Sequence, residues 1–166
     1  YRAVATDRLF DTACRPVKAG AEAVFTTQQI IEPLARMRDV VHELPEPKLN
    51  GLRQHSSRDH VYVYEGTVTI PIFQDGEAPY SDEGGLIHWD DDGRPIVQRE
   101  EEVRVSLALP RDDMPRSGWP LVIYSHGTGG NYLTVARQGV ADELAQEGLA
   151  SLGFDQVVHG DRDPTG

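Results

Sequence analysis

Apolar positions change their spacing three times along the chain. Ile30, Ile31, Leu34, Met37, Val40, Val41 and Leu44 recur at helical spacing, which predicts an amphipathic helix with Pro33 in its first turn and an end near Glu43 or Leu44. Its stripe reads as core packing or docking rather than as a site. Pro45 and Pro47 stop it, and the polar, turn-rich segment Glu46–His60 reads as a linker or long loop. Residues 1–26 carry no strong period. From Val61 the chain turns β-branched and aromatic: Val61, Tyr62, Val63, Tyr64, Thr67, Val68, Thr69, Ile70, Ile72 and Phe73 predict a strand. Gly66 marks a candidate bulge in it, and Pro71 an edge or a bend. Leu86–Trp89 and Arg94–Gln98 read as a hairpin about Asp92-Gly93. Val103, Val105, Leu107 and Leu109 alternate with Arg104, Ser106 and Ala108, the period of a half-buried strand.

Beyond Pro110 and the loop 111–119 the pattern becomes α/β. Leu121–Tyr124 is a short continuous apolar run, as in a strand covered on both faces. From Asn131 to Glu147 the residues Leu133, Ala136, Val140, Leu144 and Ala145 fit a helix that Gly148 ends. Leu149–Phe154 follows as the next strand, leading into Asp155. Strand, helix and strand at this spacing imply a parallel crossover. The expected division is an N-terminal helical segment and linker over 1–60, then one α/β unit over 61–166.

At 166 residues the chain has the length of about one domain. No run approaches the ~18 apolar residues of a membrane span. A net charge of −11 argues against nucleic acid, which needs clustered Lys and Arg. The acidity is partly local: Asp75, Glu77, Asp82, Glu83, Asp90, Asp91, Asp92, Glu100, Glu101 and Glu102 face only Arg94 and Arg99 between them. A solvated loop or hairpin accounts for this stretch, because Asp90-Asp91-Asp92-Gly93 lacks the alternating ligands and later Glu of a calcium loop. His55 and His60 stand five apart on a polar segment and read as solvated rather than metal-binding. Cys14 is alone, so no disulfide closes within these residues. Tyr1 rather than Met opens the sequence, as a cleaved signal peptide, a processed precursor or further residues upstream would all leave it. That tilts the expected setting toward secreted or periplasmic.

The chemistry lies in Ser125-His126-Gly127-Thr128-Gly129-Gly130, between a strand and a helix. A dinucleotide fingerprint beginning at Gly127 and Gly129 would meet Tyr132 where its third glycine belongs. A phosphate loop would need Lys after the glycines, and none follows. What remains is an oxyanion hole, in which glycines let the backbone approach a substrate carbonyl closely. The plainer reading is a tight strand-to-helix turn and nothing more.

The run Pro120–Gly130, the helix after it, and Ala150–Gly160 with its Asp155 and His159-Gly160 resemble the first parallel strands of the α/β-hydrolase superfamily. Within it they are similar to bacterial esterases and lipases with a His-Gly-x-Gly-Gly loop. The resemblance is strong over about residues 102–166 and looser before. It implies an α/β fold in which residues 61–166 form the first half of the hydrolase domain: antiparallel first strands, then parallel strand–helix–strand, completed by residues not in this chain. It further implies a serine hydrolase acting on carboxylic esters, small-molecule or lipid, with no cofactor and no metal. Thr128 would supply an oxyanion N–H. His126, Gly127, Gly129 and Gly130 would support the loop, and His159 would brace its own loop.

None of Ser56, Ser57, Ser81, Ser106, Ser117, Ser125 and Ser151 sits in Gly-x-Ser-x-Gly. The catalytic Ser, Asp and His are therefore expected beyond Gly166, in the remaining part of the same polypeptide. The alternative is a non-catalytic hydrolase-like binding or interaction module.

Overall fold

The computed structural model describes residues 31–164 together with two short strands, β1 (Arg2–Ala3) and β2 (Phe25–Thr26), which pair antiparallel. Cys14 lies outside the described residues. The chain forms two compact units, Tyr1–Leu44 and Pro45–Gly166. In the first, helix α1 (Ile31–Glu43) carries Pro33 in its opening turn and an Arg36–Glu32 pair one turn apart at 2.7 Å. Of its apolar stripe Val40 is buried, whereas Ile31, Leu34 and Val41 are exposed.

The second unit is a mixed, mostly antiparallel five-stranded sheet with helices, α/β-like in layering. Its strands are β3 (Leu49–Ser57), β4 (Val61–Ile72), β5 (Arg99–Pro110), β6 (Leu121–Tyr124) and β7 (Ala150–Phe154), in the order β3-β4-β5-β7-β6. Only β6 and β7 run parallel, Leu121 opposite Ala150 and Tyr124 opposite Gly153.

The segment expected as a linker thus contains an edge strand, and residues 49–57 belong with the sheet. Every β3 residue is exposed, so no apolar alternation announces it, and pairing with β4 alone defines it. The register is irregular at Gly66, as expected: between the pairs Asn50–Thr67 and Arg53–Glu65, two β3 residues, Gly51 and Leu52, stand opposite this one glycine, and a second shift follows between Gln54 and Ser56. Gly66 is glycine because a Cβ there would stand 2.5 Å from Asn50 O on the neighbouring strand. Pro71 lies past Val68, the last β4 residue with a β3 partner, so its missing N–H falls where one side of the strand is open.

Register puts Val61, Val63, Ser106, Ala108, Ser151 and Gly153 on one face of the sheet. Helices α2 (Thr134–Arg137) and α3 (Val140–Gln146) cover it, with Leu133, Val135, Ala136, Ala141 and Ala145 joining Val61, Val63 and Ala108 in the core. Burying each such Val stabilises by about 1.5–3 kcal/mol. On β5 the expected apolar face is buried at Val103 and Val105, but the other face is buried as well. Ser106 and Ala108 are fully buried, because small side chains let the helices approach, while Leu107 and Leu109 are half-buried on the opposite face.

The expected single helix over 131–147 is broken in two by Gly139, whose φ of +84° leaves the helical region. Gly148 ends α3 as anticipated: its N–H donates to Ala145 O and that of Leu149 to Leu144 O, both at 3.0 Å, with φ +72° at the glycine. Strand β6, expected to be covered on both faces, is an outer strand that pairs, among the described residues, with β7 alone. Leu121 and Ile123 are 51% and 67% exposed on its open face.

The hairpin over 86–98 is present as one isolated bridge, Trp89 to Pro95, rather than as full strands, and a second bridge ties Ile87 back to Gln74. Asp90 makes its turn. The Asp90 carboxylate accepts from Asp92 N at 3.0 Å and Arg94 N at 2.7 Å, and Gly93 takes φ +71°.

Candidate functional site

The glycine turn projects from the end of β6. Gly130 N–H donates to Gly127 O at 3.0 Å and closes it. Gly129 has φ +77°, a conformation costing other residues about 1–2 kcal/mol. Gly130 is glycine for a different reason. A Cβ there would lie 2.6 Å from Nδ1 of His126, whose ring is packed beneath the turn and only 6% exposed with its residue. Between these glycines Thr128 is exposed, and its N–H donates to no acceptor among the described residues.

His126 braces this turn. Its Nδ1 lies 2.9 Å from Gly127 O. A carbonyl only accepts, so the proton sits on Nδ1. Gln156 Nε2 donates to His126 O and to Ser125 Oγ, both at 2.8 Å, tying the turn to the loop after β7. The His159 ring meets that of His126 edge-on at 5.0 Å, and His159 Nδ1 lies 3.0 Å from Val157 O. Among the described residues His126 Nε2 is buried without a hydrogen-bond partner.

Past the turn, Asn131 N donates to Thr134 Oγ1 at 2.9 Å and Leu133 N to Asn131 Oδ1 at 3.0 Å, which starts α2. Tyr132 is held on every side. Its N–H donates to Asp155 Oδ1 at 2.9 Å, its carbonyl accepts from Ser106 Oγ, and its hydroxyl donates to Glu65 Oε2 at 3.1 Å. The Arg104 guanidinium stacks 4.6 Å from its ring centre. Burial, and then the Glu65 hydrogen bond, push the Tyr132 phenol up from its ordinary range. Glu65 is held below the usual carboxylate range, chiefly by its hydrogen bond from Arg53 at 2.8 Å. His55 Nδ1 stands 3.2 Å from the same carboxylate.

Asp155, at the end of β7, is the buried charge under the site. Its side chain is 1% exposed, and besides Tyr132 N–H it accepts from Arg104 Nε at 2.8 Å. Gly160, with φ +58°, closes over it so tightly that a Cβ would strike the carboxylate. Arg162 donates to Asp155 O at 3.2 Å and reaches Glu101 at 2.8 Å, fastening the 3-10 turn Gly160–Arg162 to β5.

The structure therefore gathers His126, Gly127, Thr128, Gly129 and Gly130 in one turn and stacks His159 on it. The acidic stretch is mostly exposed, as a solvated loop would be, and its two half-buried members, Asp75 and Glu101, are paired. Asp75 takes His88 Nε2 at 2.7 Å and Leu86 N at 2.9 Å, while Glu101 takes Arg99 and Arg162. No group of three or more His, Cys, Asp or Glu among the described residues could hold a metal ion. No described helix is long and apolar enough to cross a membrane. The roles of Tyr132, Ser106 and Glu65 escaped sequence reasoning. For Asp155 a signal existed, since an acidic residue closing a buried strand must find partners.

The class of site defined by these residues is a strand-to-helix turn with a free, exposed backbone donor and a rigid, hydrogen-bonded base. No family model, no curated protein and no solved structure matches the chain.

Proposed function

We propose that residues 61–166 carry the oxyanion-hole half of a serine ester hydrolase of the α/β-hydrolase type. The observation that carries this reading is the exposed Thr128 N–H, without an acceptor among the described residues and set in a glycine turn whose flanks are fastened to the sheet. Two further features support it. Antiparallel β4 and β5 precede the parallel pair, and β7 lies between β5 and β6. The strand–turn–helix–strand order also agrees with the first half of such a domain.

In this reading a serine beyond Gly166 attacks the ester carbonyl, a histidine takes its proton, and an aspartate orients that histidine. Thr128 N–H and a second backbone N–H stabilise the negative charge that develops on the carbonyl oxygen. His126 and Asp155 shape the turn and take no proton from substrate. The substrate is a small-molecule or lipid carboxylic ester.

Thr128→Pro removes the donor. In the polypeptide carrying these residues it should lower hydrolysis of a p-nitrophenyl ester by roughly 10²–10³ in kcat. Wild-type turnover by the folded variant would sink the reading.

A further inference from the structure

His126 and Gln156 brace the turn on its strand side, and on its helix side the first residue bonded to the sheet is Tyr132. A backbone donor stabilises an oxyanion only if it is already aimed, because reorganisation during the reaction would spend the gain. The glycines that let the turn approach a substrate also widen the range of backbone conformations open to it. Something next to it must supply the rigidity. Immediately after the turn, Tyr132 meets three different strands. Asp155 beyond β7 receives its N–H, Ser106 of β5 donates to its carbonyl, and Glu65 of β4 receives its hydroxyl.

The sheet is shaped to receive it. Gly153 of β7 lies directly under the Tyr132 carbonyl, where a Cβ would collide with that oxygen and stand 3.1 Å from Ser106 Oγ. Arg104 covers the ring while holding Asp155 and Asp161 at 2.8 and 2.9 Å. Glu65 in turn carries Arg53 and His55 of the edge strand β3, so the hydroxyl anchor extends to the margin of the sheet. Few positions need so many polar contacts to hold a helix start; Asn131 and Thr134 already provide for the first turn of α2.

We infer that Tyr132 is the positioning residue of the oxyanion turn, fixing Thr128 N–H through its three hydrogen bonds to β4, β5 and the end of β7. This deepens the ester-hydrolase reading and rests on it. Tyr132→Phe deletes only the hydroxyl bond to Glu65, keeping the ring under Arg104 and both main-chain bonds. Ser106→Ala deletes only the donor to the carbonyl. Glu65→Gln leaves an oxygen that still accepts from the tyrosine.

In the full polypeptide, Tyr132→Phe and Ser106→Ala should each lower kcat about tenfold with KM within about twofold. Amide hydrogen exchange across 127–131 should speed up in both, while Glu65→Gln stays close to wild type in both readouts. Unchanged kcat and unchanged exchange in the two folded variants would overturn the inference. So would a loss confined to KM, which marks binding that the ground and transition states share equally. A wild type that hydrolyses no ester and takes no fluorophosphonate would overturn the hydrolase reading, and the inference with it. An active wild type with indifferent variants would overturn the inference and leave that reading standing.

Discussion

Removing the Asp155 carboxylate separates a structural hub from an ordinary buried polar residue. In Asp155→Ala the Tyr132 N–H loses its acceptor in the interior, a loss of about 1–3 kcal/mol. Arg104 loses a partner at 2.8 Å, but it is 34% exposed and keeps Asp161 Oδ2 at 2.9 Å. The 3–5 kcal/mol typical of a broken buried pair therefore does not apply in full, and about 1 kcal/mol is the reasonable addition. The total destabilisation expected is about 2–4 kcal/mol. With a urea slope of about 2 kcal/mol/M, the unfolding midpoint should fall by about 1–2 M. Asp155→Asn retains an oxygen for Tyr132 N–H and should cost roughly half as much. Two results would refute the reasoning: an alanine variant within about 0.5 kcal/mol of wild type, or an asparagine variant as unstable as the alanine one.

Two neighbouring glycines should respond to alanine in different ways. At Gly130 the new Cβ meets the buried His126 ring and should destabilise by about 1–3 kcal/mol through overpacking. At Gly129 there is open space, so only the positive φ is penalised, by about 1–2 kcal/mol. His126→Ala removes the ring but keeps a Cβ 2.8 Å from the new one, so it should relieve the Gly130 penalty only in part and leave that of Gly129 intact, and urea unfolding of the double variants would show whether it does. Acid should weaken the fold through Glu101. Burial pushes its carboxyl up, but hydrogen bonds from Arg99 and Arg162 together outweigh it and hold the folded-state pKa below the ordinary 4.5. A depressed carboxylate stabilises above its unfolded pKa, and that contribution is lost as pH falls through the lowered folded value. The urea midpoint should therefore drop as pH falls below the ordinary 4.5, less steeply in Glu101→Gln, and equal slopes in both proteins would count against the pairing.

Strands β4, β5, β6 and β7 could be read from the sequence because β-branched and apolar runs such as Val61–Tyr64, Val103–Leu109 and Leu121–Tyr124 mark them locally. Strand β3 could not, since Leu49–Ser57 is exposed throughout and owes its form to the backbone ladder with β4. The helix after the turn looked continuous because its apolar spacing runs through Gly139, whose left-handed conformation is invisible to periodicity. Ser106 and Ala108 seemed to be the outward side of β5 until two helices came down upon them, a tertiary choice that alternation alone does not make. At the site, glycine spacing marked Gly127–Gly130 because the conformations it permits are local. Tyr132 gave no such sign. Its partners Glu65, Ser106 and Asp155 lie 67, 26 and 23 residues away and meet only once the sheet has formed.

The most direct test is fluorophosphonate labelling of the polypeptide that carries residues 1–166, followed by mapping of the modified peptide. A serine outside these residues, set in Gly-x-Ser-x-Gly, should be labelled, and Thr128→Pro should slow that labelling by roughly 10²–10³. Absence of labelling in the folded wild-type protein, or labelling indifferent to Thr128→Pro, would contradict the assignment of the Gly127–Gly130 turn as an oxyanion hole.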